Sequence, residues 1–341
     1  MRPRVVVSVG CPSGIGPEVA VACAASTSGV LLVGDHAALA AAARTVGCAR
    51  AIVRVDRPDV AFCAKGAVFV MQPGSALRER DRVPGRPTRA GGAAQLAWID
   101  AATDLVRAGE ADALVTGPAS KEVIARSSAP GAASFLGHTE HLARRLRARE
   151  VVMAFATERL VTALVTTHLP LRAVPRAVTK ERVAAGVFWL SEVVSRLFGG
   201  GANVGICALN PHAGEGGLLG DEEERVIRPG IALGRARSRR SGHPVLVTGP
   251  TGAETVFRRA KAGAHDGVLA MYHDQATIPM TLLGFGEAVN VSLGLPIVRT
   301  SVDHGTGHDI AGKGVASARG MVSAVALARR LCAARREGKV R

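Results

Sequence analysis

The chain has 341 residues, 48% of them hydrophobic and only 3% aromatic, which suffices for the aliphatic cores of one large or two medium domains and excludes an intrinsically disordered protein. Its net charge of +15 could indicate nucleic-acid binding, but only six of the 43 basic residues are lysines. The arginines fall in short helical runs without aromatic neighbours. We therefore expect solvated helix faces that attract anionic substrates. Widely spaced cysteines, and no apolar run of signal-peptide or membrane type, predict a cytoplasmic protein with neither nucleic acid nor membrane as partner.

Short apolar runs alternate along the chain with longer helical patterns, which predicts an α/β fold with largely parallel sheets. In chain order, the expected strands cover residues 4–9, 30–34, 51–55, 67–71, 112–116, 151–156, 160–167, 203–209, 244–248, 267–272 and 288–293. The expected helices cover residues 17–27, 36–46, 88–108, 138–148, 179–198, 220–238, 253–261 and 313–335. We place one α/β domain at residues 1–130 plus 300–341 and a second at residues 131–299.

Two loops each join an expected strand to a helix. In the first, Gly14 and Gly16 precede Pro17, which suits a first helical position, so backbone N–H groups can approach an anion or a cofactor. The spacing is neither a Walker A loop nor G-x-G-x-x-G, and a purely structural turn is the alternative. In the second loop, Lys121 begins a helix against the dipole preference, which indicates either an anionic partner or a solvated side chain.

Two further clusters are rich in hydrogen-bond donors for a carboxylate or a phosphate. One is Gly137-His138-Thr139-Glu140, directly before a helix, and the other runs from Arg299 to Asp309. Both predict contacts with an anionic small molecule. Histidines 36, 141, 243 and 265 lack such settings and are interpreted as surface or helix residues.

Three histidines follow the ends of expected strands: His168, His212 and His273. Because the carboxyl ends of parallel strands face the ligand crevice of an open sheet, we expect the three imidazoles to converge there. Three neutral imidazoles with open coordination positions are typical of a catalytic metal site, with zinc as first choice and manganese, cobalt or magnesium as alternatives. Asp274 is then a supporting carboxylate or a catalytic group, and Lys121 is a further candidate for a supporting or catalytic role. The alternative is three ordinary hydrogen-bonded loop residues.

Together these motifs resemble the 4-hydroxythreonine-4-phosphate dehydrogenase family of pyridoxal phosphate biosynthesis, which includes paralogues acting on phosphorylated four-carbon sugar acids. The resemblance spans nearly the whole chain. Its motifs lie at residues 14–18, 116–118 with Lys121, 137–140, 166–171, 210–217, 271–275, and 294–296 through 312–314.

The resemblance implies a two-domain fold like that of isocitrate and isopropylmalate dehydrogenases, with the active site in the interdomain cleft at a homodimer interface. It implies that His168 and His212 of one subunit and His273 of the other bind the metal, and that NAD, or alternatively NADP, occupies the neighbouring cleft. The substrate-binding residues that it implies are His138, Thr139, Asn290 and Arg299.

The implied reaction is the metal-dependent, NAD-linked oxidation of a phosphorylated β-hydroxy acid of the 4-phosphooxy-threonine type. The product is a 3-oxo acid, which then loses carbon dioxide. A metal acting as Lewis acid stabilises both the alkoxide that releases hydride and the enolate left by decarboxylation.

Two positions depart from the family pattern: Thr281 stands where the pattern has a substrate-binding lysine, and Cys11 stands where it has an aspartate. Losing a charged hydrogen bond to an anion costs on the order of 1.5–3 kcal/mol. Either Lys121 and Arg299 compensate, or the substrate differs. The alternatives are a dehydrogenase of 4-phospho-threonate, 4-phospho-erythronate or a carboxylated cis-dihydrodiol, and a non-catalytic anion-binding paralogue.

Overall fold

A computed structural model of the chain describes residues 2–284 and 288–337. The strands are β1 (Val5–Ser8), β2 (Val30–Val33), β3 (Ala51–Arg54), β4 (Ala67–Met71), β5 (Ala113–Thr116), β6 (Val152–Ala156), β7 (Val161–Leu164), β8 (Asn203–Cys207), β9 (Leu246–Thr251), β10 (Gly267–Ala270), β11 (Val289–Leu293) and β12 (Val298–Ser301). The helices are α1 (Gly16–Ser26), α2 (His36–Thr45), α3 (Pro58–Cys63), α4 (Arg89–Arg107), α5 (Lys121–Ala125), α6 (His138–Arg145), α7 (Val174–Ala177), α8 (Lys180–Phe198), α9 (Arg228–Arg240), α10 (Ala253–Lys261), α11 (His273–Gly284) and α12 (Arg319–Glu337). None of the helices within these ranges is long and apolar enough to pass through a lipid bilayer.

The alternation of strands and helices confirms the predicted α/β class, and most predicted elements differ from the observed ones only at their ends. Strand β12, helix α11 and the short helices α3 and α7 are absent from the prediction, which gave α5 (Lys121–Ala125) only its first residue, Lys121. Arg299 interrupts the apolar pattern of β12, and Pro279 lies inside α11, where proline usually ends a helix. Helix α12 begins later than predicted, because Gly312 and Gly314 before it have positive φ.

The chain divides into two compact units. The first comprises Met1–Ala148 and Leu295–Ala333, and the second comprises Arg149–Gly294 and Ala334–Arg341. The sequence placed the divisions at residues 130/131 and 299/300. Helix α6 belongs to the first unit, where His141 Nε2 lies 2.6 Å from Asp100 Oδ1 of α4.

The sheet of the first unit is parallel throughout, with the strand order β3-β4-β2-β1-β5-β12. Residues 5–7 of β1 are fully buried, as expected for a central strand covered on both faces. The register places Ser8 opposite Thr116 and Thr116 opposite Ser301. Strands β1, β5 and β12 therefore end together, and the loops that follow them share one edge.

The sheet of the second unit has the strand order β11-β6-β7-β10-β8-β9. Strands β7, β10, β8 and β9 are parallel, whereas β6 is antiparallel to both of its neighbours. One face of this sheet packs on a core that contains Leu164, Cys207, Val268 and Met280. Because β7, β10 and β8 are adjacent and parallel, their carboxyl ends open on the same edge.

Candidate active site

The three predicted metal histidines all follow strands that end at this one edge of the second unit. His168 follows β7, His273 follows β10, and His212 follows β8, and these three strands are consecutive in the sheet. The strand-end placement predicted from the sequence is therefore the observed one. The carboxyl ends of parallel strands are where α/β proteins usually build their sites.

Side chains tie these strand ends to one another. Thr166, which follows β7, bonds twice to Met271, which follows β10. Its N–H and its Oγ1 both donate to Met271 O, at 3.1 and 2.7 Å. The Gln275 amide then bridges β10 to β8, since its Oε1 accepts from Met271 N at 2.7 Å and its Nε2 donates to Ala208 O at 2.8 Å. The loops that carry the histidines are thus fixed relative to one another.

His168 and His273 are neighbours, with ring centroids 5.4 Å apart. His273 is the first residue of α11, and its Nδ1 lies 2.8 Å from Asp274 Oδ1. A carboxylate at Nδ1 favours the tautomer that carries its proton there, which leaves the lone pair of Nε2 available to a metal. Asp274 therefore contacts His273, and its role as a supporting carboxylate or a catalytic group stays a prediction.

His212 lies on an unusual turn at Pro211–Gly217. Five consecutive residues, 212–216, have positive φ values of 52°, 56°, 79°, 42° and 67°. A left-handed helical conformation costs roughly 1–2 kcal/mol per residue that has a Cβ. The His212 ring is also oriented by a carboxylate, because its Nδ1 lies 2.9 Å from Glu215 Oε1. Two of the three histidines thus carry a carboxylate on Nδ1.

The three histidines do not form a metal site within one chain. Among the residues of the described ranges, no group of three or more His, Cys, Asp and Glu side chains is arranged to hold a metal ion. The structure brings His168 and His273 together, and the His212 side chain is 74% exposed. Convergence of all three imidazoles, as expected from strand ends alone, therefore stays a prediction. The arrangement implied by the family, with His273 from a second subunit, stays a prediction.

A second polar cluster lies in the first unit around Arg299, which is only 3% exposed on β12. Its Nη2 donates to Thr116 Oγ1 at 2.6 Å, and Thr116 Oγ1 in turn donates to Ser301 Oγ at 3.0 Å. Burial lowers the pKa of the Arg299 guanidinium to about 10, and the charge of Glu140 opposes this shift. Arg299 therefore remains a cation at neutral pH, held at the carboxyl edge of the sheet.

His138 lies in the same cluster, at the start of α6. Its ring Nε2 is buried and has no hydrogen-bond partner among the described residues. Burial, and then the positive charges of Arg299, His141 and Lys121, hold the pKa of His138 well below its usual value. A neutral imidazole with an unpaired, buried nitrogen is suited to a hydroxyl or oxygen atom of a ligand.

Lys121 approaches this cluster along α5. Its Cε would lie 3.3 Å from a Cβ placed on Gly137, the residue before His138. Lys121 is exposed, and its charge contributes to the low pKa of His138. Of the predicted anion-binding residues, the structure therefore brings Lys121, His138 and Arg299 into one cluster. Thr139 lies on α6 beside His138, and Asn290 lies on β11 of the second unit.

The glycines of the first loop are required by packing. A Cβ on Gly14 would lie 2.5 Å from Thr306 O, and one on Gly16 would lie 2.3 Å from Val9 O. The N–H of Gly14 donates to Cys11 O, so it is engaged within the protein. Glu18 braces the loop by accepting from Gly312 N and Gly314 N. The structural alternative thus accounts for these glycines, and anion or cofactor binding by the loop stays a prediction.

The two departures from the family pattern lie in different settings. Cys11 is buried, its Sγ lies 3.4 Å from His308 Nε2, and burial raises the pKa of its thiol. It is therefore an uncharged group where the family pattern has a carboxylate. Thr281 is exposed on α11, two helical turns beyond His273 and on the same side of the helix.

The interpretation of His265 as a surface or helix residue is wrong. It is 7% exposed, lies in the loop between α10 and β10, and packs on Gly205 of β8. A Cβ on Gly205 would lie 2.8 Å from the imidazole, so the absence of a side chain there makes the room. Such burial depends on a residue distant in sequence, which periodicity does not reveal.

Three residues that contact the loops of the predicted metal histidines were not singled out from the sequence: Glu215, Glu223 and Gln275. Glu215 and Gln275 lie inside the motifs of the family resemblance, so the motifs contained a signal for them. Glu223 accepts hydrogen bonds from the N–H groups of Leu209 and Asn210. Nothing in its local sequence, a run of three glutamates, distinguishes it from a solvated acid.

Comparison with known proteins agrees with the observed α/β fold and indicates the dehydrogenase class. The model of the family described as pyridoxal phosphate biosynthetic protein PdxA matches residues 26–328, and the chain belongs to this family. A protein named 4-hydroxythreonine-4-phosphate dehydrogenase from Geobacter metallireducens is 42% identical over 96% of this chain and 95% of its own length.

Two solved structures place the fold within the same group. The 4-hydroxythreonine-4-phosphate dehydrogenase from Klebsiella pneumoniae is 33% identical and has a TM-score of 0.83, with 97% of this chain and 98% of that chain covered. The terephthalate 1,2-cis-dihydrodiol dehydrogenase from Burkholderia xenovorans is 28% identical and has a TM-score of 0.67, with coverage of 96% and 98%. Both relatives are named as dehydrogenases, which supports the same class for this chain.

Proposed function

We propose that the chain is a metal-dependent, NAD-linked dehydrogenase that oxidises a phosphorylated β-hydroxy acid of the 4-phosphooxy-threonine type to the 3-oxo acid, which then decarboxylates. The observation that carries the proposal is the strand-end set of His168, His212 and His273, two of which have a carboxylate at Nδ1. Family membership and the names of the relatives support the dehydrogenase class and the substrate type.

The donor set fits a divalent metal. Imidazoles whose Nδ1 is held by a carboxylate present Nε2 as a ligand, and this combination is usual for zinc, with manganese, cobalt or magnesium as alternatives. A metal held by the three histidines would supply Lewis-acid polarisation of the substrate hydroxyl, and NAD would accept the hydride. Asp274 and Glu215 keep the protons of His273 and His212 on Nδ1.

The first unit supplies groups that recognise an anionic substrate. Arg299 is a buried cation that needs no reorganisation to meet a carboxylate or phosphate. His138 remains neutral and presents a buried Nε2, which suits a substrate hydroxyl or oxygen. Lys121 adds a second positive charge beside His138. Thr139 and Asn290 are proposed from the family resemblance alone.

A cavity of about 550 Å³ in the first unit is the proposed location of part of the NAD molecule. It is lined by Gly14 of the first loop, by Glu18 in the first turn of α1, by the alanine-rich face of α2, and by Gly312. Its size falls within the usual range of ligand pockets. NADP is an alternative cofactor, because Arg44 and Arg82 also line the cavity.

We also propose a homodimer in which the second subunit supplies His273. Apolar side chains next to the histidine loops are exposed: Leu169 is 41%, Leu218 is 84% and Leu282 is 66% exposed. Large exposed apolar side chains clustered around a site are typical of a covered protein surface. The family resemblance implies that His273 comes from a second copy, and within the described ranges one chain forms no three-ligand group.

Removal of the metal tests the proposal. Protein treated with a chelator should lose NADH formation with 4-phosphooxy-threonine, and added zinc, manganese, cobalt or magnesium should restore it. Full activity after metal removal would contradict the metal-dependent mechanism. Substrate binding without NADH formation in the metal-loaded protein would instead favour the non-catalytic, anion-binding alternative.

Thr281 favours a second candidate, a dehydrogenase of an unphosphorylated, carboxylated cis-dihydrodiol, and the Burkholderia relative is named for such a substrate. The variant Thr281→Lys, compared with Thr277→Lys one helical turn earlier, tests the choice. If the site holds a phosphate, Thr281→Lys should lower KM for phosphorylated substrates by roughly ten- to a hundredfold. No gain, together with turnover of carboxylated dihydrodiols by the unmodified protein, would favour the second candidate.

A further inference from the structure

The turn that carries His212 is held by one buried carboxylate. Glu223 is 1% exposed and begins the π-helical turn Glu223–Ile227 that leads into α9. Its Oε1 accepts from the N–H groups of Leu209 and Asn210, both at 2.8 Å. Its Oε2 accepts from Asn210 Nδ2 at 2.9 Å. Three donors thus satisfy a carboxylate that would otherwise be costly to bury.

These donors belong to the residues that enter the turn. Leu209 and Asn210 directly precede Pro211, so the carboxylate fixes the backbone at the point where φ changes sign. Asn210 is fixed twice, because its Nδ2 also donates to Glu222 Oε2 at 2.6 Å. The entry to the turn therefore depends on two neighbouring glutamates, of which Glu223 holds the main chain.

Glu223 also lies against the middle of the turn. A Cβ on Gly214 would lie 3.0 Å from Glu223 Oε2 and 2.7 Å from Gly220 O. Gly214 has a φ of 79°, so both its conformation and its surroundings favour glycine. The left-handed segment is therefore packed onto the carboxylate, while Glu215 separately orients the His212 ring.

We propose that Glu223 is a positioning residue for the metal site: it keeps residues 212–216 in their left-handed conformation and thereby sets the place of His212. This inference rests on the proposed metal function. The role acts through the backbone, because the groups that Glu223 contacts are the N–H groups and the amide before the turn. A strained turn persists only when the surrounding structure holds it in place, and the hydrogen bonds of Glu223 do so here.

The test compares Co²⁺ binding, followed by its visible absorption, in metal-free wild type and three variants. Glu223→Ala removes all three acceptors, whereas Glu223→Gln keeps a carbonyl oxygen for the two N–H groups but turns an amide toward Asn210. Glu224→Gln is the matched control, since Glu224 is the next residue and forms only a surface ion pair with Arg228 at 2.7 Å. Hydrogen exchange at Leu209 and Asn210 is the second measurement.

We expect Glu223→Ala to weaken Co²⁺ binding by about ten- to a hundredfold, with partial recovery in Glu223→Gln and no change in Glu224→Gln. Exchange of the Leu209 and Asn210 amides should accelerate in Glu223→Ala alone. Gly214→Ala, which leaves the carboxylate intact, should weaken Co²⁺ binding as well, and its effect should not add to that of Glu223→Ala.

Wild-type affinity in Glu223→Ala, or equal losses in Glu223→Ala and Glu224→Gln, would overturn the positioning role while leaving the metal site in place. If Glu223→Ala does not fold, wild-type affinity in both Glu223→Gln and Gly214→Ala would overturn it in the same way. No Co²⁺ binding by the wild type would instead contradict the proposed metal function, and the role of Glu223 with it.

Discussion

His138 and Arg299 share a buried corner of the first unit, and burial favours the neutral form of both. The outcome differs because their ordinary pKa values differ. Arg299, with a pKa of about 10, keeps its charge at neutral pH, whereas His138 loses its charge. The pair thus offers an anion one fixed cation and one neutral hydrogen-bonding group.

The low pKa of His138 predicts a pH-dependent contribution to stability. Below about pH 6.5 the unfolded chain binds a proton at this histidine that the folded protein does not bind. This contribution is fully present above that pH and is lost as the pH falls toward the folded pKa. Between about pH 7.5 and 5.5, the free energy of unfolding should fall by about 1 kcal/mol more in the wild type than in His138→Gln, as measured by urea unfolding.

His243 and His265 also have lowered pKa values. Because the wild type and His138→Gln both contain them, their contributions cancel in the difference between the two unfolding free energies. Equal losses of stability in wild type and His138→Gln would show that His138 titrates normally. The sequence identified His138 and Arg299 through their motifs. The sequence alone does not predict the protonation states of these two residues, because they depend on burial produced by β5, β12 and α6 together.

At the scale of secondary-structure elements, the second unit builds its site by ending three neighbouring strands at one edge. The apolar runs before His168, His212 and His273 predicted those strands, and the parallel pairing of β7, β10 and β8 places the loops together. The links between the loops are made by Thr166 and Gln275. Such links depend on the spatial strand order, in which β10 lies between β7 and β8, and strand order is not encoded in periodicity.

Gln275 should therefore matter more for the site than for stability. Replacing it with Ala removes the bridge from Met271 N to Ala208 O and frees the loops before His273 and His212. We expect Gln275→Ala to lower metal affinity and kcat/KM by about tenfold, with a stability loss of only about 1–2 kcal/mol.

The matched control is Gln72→Ala in the first unit, where Gln72 Oε1 accepts from His36 N at 2.8 Å. That substitution removes a comparable hydrogen bond from a side-chain amide, but in a unit that does not contain the histidine loops. It should leave metal affinity unchanged. Equal losses of metal affinity in the two variants would mean that general destabilisation, rather than loss of the Gln275 bridge between β10 and β8, explains the effect.

The elements that the sequence missed share a cause. Helix α11 contains Pro279 and strand β12 contains Arg299, and local propensity disfavours both residues in those positions. Tertiary contacts override the propensity: Met280 of α11 packs in the core of its unit, and Arg299 is satisfied at the strand edge by Thr116. The left-handed turn at His212 has no periodic signal at all, since it is defined by backbone angles.

At the scale of the whole molecule, the two units contribute different parts of the proposed chemistry. The first unit holds a cationic corner and a cavity of about 550 Å³, and the second unit holds the three histidines. The net charge of +15 suits a protein that attracts an anionic substrate. Composition predicted this general character, but composition alone does not indicate the shared histidine site that we propose.

In the proposed homodimer, His273 of one subunit completes the site formed by His168 and His212 of the other. Mixing the inactive variants His212→Ala and His273→Ala, after subunit exchange, tests it directly. Each mixed dimer would contain one intact site, so NADH formation should return to about one quarter of the wild-type rate in an equal mixture. A mixture that stays as inactive as the separate variants would contradict a shared histidine site.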